Sequence, residues 1–234
     1  MTTVALALIG MGKMGCALKA LAPERGFRVV AEIDAGEAVT RETLRDAEVA
    51  IEFTQPDAAP ANIRACMAAG CPVVVGTTGW SAELDAIRAA VTSSGGALLT
   101  APNFSVGVAI FDRVVAEAAK LFAATGGFEV HLVETHHSAK KDAPSGTAAS
   151  LARTAETAIG GGRSIPITSI RVGSVPGTHE LVFDAPFEQV RLVHEARDRR
   201  VFAEGALVAA KWLIGRTGVF GMQDVLGTTH GGET

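Results

Sequence analysis

A chain of 234 residues, 48% hydrophobic and with a formal net charge of −4, can bury a large core and stay in solution. No run approaches the ~20 uninterrupted apolar residues of a membrane span, and the acidic balance offers no basic stripe to displace counterions from a nucleic-acid backbone, so neither membrane nor nucleic acid is an expected partner. Cys16, Cys66 and Cys71 are odd in number and lack CxxC spacing, and MTTVALALIG has neither a basic n-region nor a cleavage site. A reducing, cytoplasmic setting is expected.

The opening predicts an apolar strand Val4 to Ile9, a glycine turn Gly10-Met11-Gly12-Lys13-Met14-Gly15, and an amphipathic helix through Ala22 that stops at Pro23. A second strand, Phe27 to Ile33, ends at Asp34, about twenty residues after the glycines, where a dinucleotide fold places its ribose-binding acid. Further strands are predicted at Val49 to Phe53, Pro72 to Val75 and Ala97 to Leu99, with helical patterns around Ala58 to Ala69 and Ala82 to Val91. Strands alternating with helices imply a Rossmann-type α/β fold with a doubly wound parallel sheet. From Gly127 the texture changes to strand-like stretches at Phe128 to Glu134, Ile167 to Val172, His179 to Phe183 and Gln189 to His194. One helix, Ser145 to Ile159, interrupts them. This predicts a central α+β domain with a largely antiparallel sheet, and a final helix, Phe202 to Ile214, resumes the first pattern.

The pyrophosphate of a dinucleotide needs backbone N–H groups at a helix N-terminus, and side chains there would block its approach. Gly10, Gly12 and Gly15 remove them, beside Lys13 and Met14, although a plain tight turn has the same pattern. Asp34 suits the 2′- and 3′-hydroxyls of a ribose, whereas a 2′-phosphate would set a dianion beside a carboxylate. NADH is therefore favoured over NADPH, with Arg41 close enough in sequence to keep NADPH open and Asp34 as a solvated strand-end residue the alternative. Ligands of an open parallel sheet bind beyond the carboxyl ends of the strands, which points to Glu52-Phe53-Thr54, to Gly76-Thr77-Thr78-Gly79 and to Ala101-Pro102-Asn103-Phe104. Phe104 fits a nicotinamide contact and a core position equally well.

Glu134 to Thr147, reading ETHHSAKKDAPSGT, packs ionisable groups between a strand and a helix. A loop there can point the His136 imidazole and the Lys140 ammonium at one ligand, the first as a proton donor near neutral pH and the second as a lasting charge. Ser145, Gly146 and Thr147 open the next helix, an anion site suited to a carboxylate, with a simple Ser145 cap as the alternative. No metal site is expected, because the adjacent His136 and His137 rarely face one ion and no HExxH or cysteine partner accompanies them.

These segments together resemble the dihydrodipicolinate reductase family. GMGKMG, EFTQPDA, VVVGTTGW, APNFSVGV, THHSAKKDAPSGTA, RVGSVPGTHEL and FAEGALVAAKWL occur in the family's order, and HHxxKxDAPSGTA is the most specific of them. The resemblance implies NADH- or NADPH-dependent reduction of a cyclic dicarboxylic imine to tetrahydrodipicolinate in lysine and diaminopimelate synthesis. It implies His136 as general acid, Lys140 as the cation that binds and polarises substrate, and His137, Ser145, Gly146 and Thr147 around a carboxylate. Gly10, Gly12, Lys13, Met14, Gly15, Asp34, Phe53, Gly76, Thr78, Ala101, Asn103, Phe104 and Arg199 would line the cofactor. Ala35 stands where some relatives carry an arginine that welcomes NADPH. A nucleotide domain of residues 1–104 and 202–234, a substrate and oligomerisation domain of residues 105–201, and a homotetramer complete the expectation.

Overall fold

The structure, a computed structural model, describes residues 3–227; the expected nucleotide domain's first two residues and its stretch 228–234 lie outside them. The chain divides into two compact units, one running to Ser105 and resuming at Arg200, the other Val106–Arg199.

In the first unit β1 (Val4–Ile9), β2 (Phe27–Ile33), β3 (Val49–Glu52), β4 (Val73–Val75), β5 (Ala97–Thr100) and β10 (Gly218–Phe220) form one parallel sheet, ordered β10-β5-β4-β3-β1-β2. Strands β1, β3 and β4 are Val, Ile, Leu and Ala apart from the terminal Glu52 of β3, because both faces are covered, the usual condition of a parallel sheet. Helices α1 (Lys13–Leu21), α2 (Arg41–Leu44), α3 (Ala59–Ala69), α4 (Leu84–Ser94), α7 (Arg200–Leu213) and α8 (Met222–Val225) accompany it. Ile9, Ile33, Ile63, Val73, Ile87 and Leu98 meet in a core that excludes water. Small residues let α7 come close: a Cβ on Gly205 would overlap the Phe104 carbonyl. The parallel registers align Ile9 with Ile33 and Glu52, Glu52 with Val75, and Val75 with Thr100. The residues that follow, Gly10, Asp34, Phe53, Gly76 and Ala101, therefore share one edge.

The second unit holds β6 (Glu129–His136), β7 (Ile167–Arg171), β8 (Gly177–Ala185) and β9 (Glu188–Ala196), ordered β7-β6-β8-β9, with α5 (Val106–Thr125) and α6 (Gly146–Ile159). β8 and β9 pair antiparallel, as do β6 and β8, but β6 and β7 run parallel because α6 crosses between them. The sheet is thus mixed at one edge. Leu132, Leu181 and Phe183 pack with Phe111, Val115, Ala119, Leu151 and Ala155 from the helices, and Phe122 stacks on Phe183 with ring centroids 4.2 Å apart. The alternate residues of the strands face the other way, and among them Ile170 and Val193 on the two outer strands are exposed.

The predicted strands and helices are present with ends that agree or move by at most three residues. One difference matters for the site: β6 continues through His136, so Glu134 and His136 are strand residues on one face. The 20-residue α5 has no counterpart among the predicted elements. Its buried stripe, Ala109, Phe111, Val115 and Ala119, is blurred in sequence by the exposed apolar residues Ile110, Val114 and Leu121. β10 was also not predicted, being only three residues long.

Candidate active site

At the carboxyl edge of the parallel sheet the three glycines of the turn separate by purpose. A Cβ on Gly10, whose φ is +93°, would overlap the Phe53 carbonyl, and one on Gly15 would overlap the Gly10 carbonyl. Those two glycines close the strand–turn–helix packing itself. Gly12 caps α1 with no side chain over the first-turn N–H groups, and a Cβ there would meet nothing within 4 Å. That open helix start, with exposed Lys13 and half-buried Met14 beside it, fits a dinucleotide pyrophosphate. Asp34 is exposed just past β2, and its Oδ1 accepts from the Met11 N–H at 3.2 Å. Glu37 joins it, its Oε2 accepting from the Asp34 N–H at 3.2 Å. Two carboxylates therefore sit where a ribose would lie.

Farther along the edge, Gly76 is occupied with packing, since a Cβ would strike the Phe53 ring. Thr78 is exposed, while the neighbouring Thr77 is buried, its Oγ1 accepting from the Thr54 N–H at 2.7 Å and its carbonyl from Trp80 Nε1 at 2.7 Å. Ala101 is buried. Asn103 Oδ1 accepts from the Ser105 N–H at 2.8 Å, shaping the turn that ends this stretch. Phe104 is 3% exposed and meets Phe53 edge to face, centroids 6.0 Å apart, so a core role is present whatever else the ring does. Arg199 is exposed in the turn before α7.

In the second unit the ionisable segment is organised around a carboxylate. Glu134, wholly buried, meets His136 Nδ1 through Oε2, while its Oε1 accepts from Arg171 Nη2 at 2.7 Å and from the Ser145 N–H at 3.3 Å. The registers bring these groups together: β7 sets Ser169 beside Glu134 and Arg171 beside His136, and β8 sets His179 opposite Glu134. The His136 and His179 rings meet edge to face at 5.2 Å, and His179 Nε2 lies 3.3 Å from Ser145 Oγ. Ser145 also caps α6, its Oγ accepting from the Ala148 N–H at 3.1 Å, so the cap and its place in the cluster coexist. Gly146 is exposed and Thr147 half-buried in the first turn of that helix. Lys140 Nζ donates to both Asp142 oxygens at 2.8 and 2.9 Å, and His137 stands half-buried in the connecting turn.

Burial alone would raise the Glu134 carboxyl, but hydrogen bonds from Arg171, Ser169 and His136 hold it at about 2. It is an anion at any working pH. Burial lowers His136; the bond and charge of Glu134 oppose that, while Lys140 and Arg171 add to it. His179 falls to about 4, chiefly through burial and then the nearby His136, so it is neutral. The hydrogen bond from Lys140 keeps Asp142 ionised. Ligand-type atoms of Glu134, His136 and His179 lie within 4.8 Å of one another. Arg171 already supplies the positive charge that a cation there would bring, so a proton site suits them better than a metal site.

Residues 4–104 match the family description "Dihydrodipicolinate reductase, N-terminus" and residues 107–226 match "Dihydrodipicolinate reductase, C-terminus". The chain belongs to the dihydrodipicolinate reductase family. It is 35% identical over 233 residues to the 4-hydroxy-tetrahydrodipicolinate reductase of Christiangramia forsetii, covering 94% of this chain and 97% of that one. To the enzyme of the same name from Thiobacillus denitrificans it is 36% identical over 243 residues, covering 91% and 90%. A dipicolinate-bound dihydrodipicolinate reductase from a Paenisporosarcina species shares the fold at a TM-score of 0.77 and 19% identity, covering 95% of this chain and 99% of that one. As a member of this family the chain is a reductase, and its first unit carries the pyridine-nucleotide type of fold.

The family motif pointed to His136 and Lys140, and the structure encloses His136 in groups that the motif does not contain. Arg171 and His179 were not singled out in the sequence, and Glu134 was noted only as the start of the segment. Arg171 and His179 arrive from strands 35 and 43 positions beyond His136, through a register that spacing does not disclose. The visible signal was Glu134 two residues before His136 in a strand, hence on the same face.

Proposed function

We propose that this chain reduces 4-hydroxy-tetrahydrodipicolinate to tetrahydrodipicolinate, a step of lysine and diaminopimelate biosynthesis, with His136 as the general acid. The observation that carries the reading is the His136 imidazole, buried beside an ionised carboxylate within a segment of family sequence. Bound nicotinamide supplies a hydride to the ring. The residues of the chain supply the rest. Lys140 exchanges its Asp142 partner for a substrate carboxylate, and the first turn of α6, with Ser145, Gly146 and Thr147, receives a carboxylate through its N–H groups beside His137. Negative charge grows on the ring as hydride adds, and His136 Nε2 delivers the proton that quenches it.

Residues 3–105 and 200–227 form the nucleotide domain, with Gly12, Lys13 and Met14 at the pyrophosphate and Asp34 on the ribose. Gly10 and Gly15 shape that turn from beneath; Phe53, Gly76, Thr78, Ala101, Asn103, Phe104 and Arg199 are assigned to the rest of the cofactor. Asp34 and Glu37 together favour NADH, because a 2′-phosphate would face two carboxylates without the adjacent guanidinium that Ala35 forgoes. Residues 106–199 form the substrate domain, and the sheet face bearing Ile170 and Val193 joins copies into a homotetramer. No helix of the described residues is long and apolar enough to cross a membrane, consistent with a cytoplasmic enzyme acting on a small cyclic dicarboxylate.

The test is loss of nicotinamide absorbance with substrate made in place by the preceding synthase from pyruvate and aspartate semialdehyde. Oxidation that requires the synthase product, and none with aspartate or homoserine, is expected. Turnover of aspartate or homoserine with silence toward the cyclic compound would move the chain to another dehydrogenase activity.

A further inference from the structure

The cluster around His136 contains more polar groups than an acid alone requires. A buried carboxylate with no task would be a cost, since an ion removed from water needs compensation on every side. Glu134 has that compensation, and each of its contacts leads to a part of the proposed reaction. One oxygen meets the acid. The other accepts from the N–H of Ser145, at the start of the helix assigned to the substrate carboxylate, and from Arg171 Nη2. Arg171 Nη2 also donates to the Asp142 carbonyl at 2.6 Å, in the loop whose side chain holds Lys140. One buried ion thus ties together the strand of the acid, the anion-binding helix start and the lysine loop.

We propose that Glu134, braced by Arg171, is the positioning residue of the reaction: it fixes the proton on His136 Nδ1, so that Nε2 is the atom that gives up a proton. The inference rests on the assignment of His136 as the acid and adds how that acid is set. An ionised carboxylate is an acceptor only, so the nitrogen facing it must carry hydrogen. Space for Nε2 to work is provided by Gly177, the first residue of β8: a Cβ there would lie 3.0 Å from Nε2. In the step itself the Nε2–H bond breaks, its proton joins the ring that has taken hydride, and the imidazole is left neutral with Nδ1–H still on Glu134. Solvent then restores the Nε2 proton.

The groups facing His136 are Glu134 on its own strand, Arg171 from β7, His179 from β8 with His194 behind it on β9, and Lys140, itself paired with Asp142, from the loop. Glu134 alone among them is an anion in contact with the ring. Removing its charge therefore makes His136 harder to protonate.

The experiment compares wild type with E134Q and H136Q, measuring kcat against pH, KM for the synthase product and Kd for NADH. E134Q is expected to lower kcat at neutral pH by about 10- to 100-fold, to move the limb on which activity falls with rising pH downward by about one unit, and to leave the NADH Kd within about threefold. An E134Q limb and kcat unchanged while H136Q is inactive would overturn this inference and leave the acid assignment standing. H136Q as active as wild type would overturn both. Should E134Q fail to fold with Arg171 left unpaired, ¹⁵N-histidine NMR of the wild-type enzyme decides: a neutral His136 protonated at Nδ1 supports the proposal, and one protonated at Nε2 overturns it.

Discussion

Lys140 donates to both oxygens of an internal carboxylate, Asp142, so the substrate carboxylate proposed for this position would enter by exchange. Such exchange keeps the ammonium aimed by one charge-assisted contact until another replaces it. Replacing Lys140 with alanine should raise KM for the cyclic substrate about 10-fold or more and lower kcat as well, given that a hydrogen bond to a charged group is worth ~1.5–3 kcal/mol. Unaltered steady-state constants would remove the lysine from substrate binding. On the nucleotide side, Glu37 adds a carboxylate next to Asp34 that the glycine motif does not announce. Glu37→Gln should improve kcat/KM for NADPH severalfold relative to NADH, because it lifts one of two repulsions on a 2′-phosphate. A ratio equal to that of wild type would leave cofactor choice to other groups.

At the scale of elements, the β1–turn–α1 unit separates Gly10 and Gly15, which the packing requires, from Gly12, which the packing leaves open. Gly10→Ala drives a methyl into the Phe53 carbonyl at a positive φ, and should lower the melting temperature by many degrees. Gly12→Ala meets open space, so the protein should melt within a degree or two of wild type while the NADH Kd rises about 10-fold as the methyl crowds the helix start. Calorimetry of both variants separates the two effects; similar melting temperatures would contradict the division. The same unit was legible in sequence because strand, glycines and helix are contiguous: β1 and β2 were predicted with their observed ends. α5 was not legible, its exposed Ile110, Val114 and Leu121 erasing the periodic contrast on which a helix is recognised. The candidate site divided in the same way. His136 and Lys140 lie in a contiguous motif, whereas Arg171 and His179 reach Glu134 only through strand pairing. His136 itself was expected in a loop; as the last residue of β6 it is held by the sheet.

For the molecule as a whole, the buried histidines set the acid limit of stability. His179 is held at about 4 in the folded chain, below the unfolded value near ~6.5, and His136 and His194 are lowered too. Between those values the unfolded chain binds more protons, so stability is full above pH ~6.5 and declines as pH falls toward 4. His179 alone accounts for roughly 3 kcal/mol over that window at ~1.4 kcal/mol per pH unit of displacement. Denaturant unfolding at pH 7.5, 5.5 and 4.5 should show this decline, and a flat profile would contradict the buried neutral state. Light scattering should give about four times the 24.1 kDa chain mass, and Val193→Asp, which charges the exposed sheet face, should lower it.

The most direct test of His136 as the proton donor is kcat of H136Q against wild type, at saturating synthase-made substrate and NADH, with the NADH Kd determined on the same preparations. A positioned acid contributes about 10²–10⁴-fold, so kcat should fall by that factor while the Kd for NADH stays within about twofold. Equal kcat values from two folded proteins would contradict it and place the proton donor elsewhere.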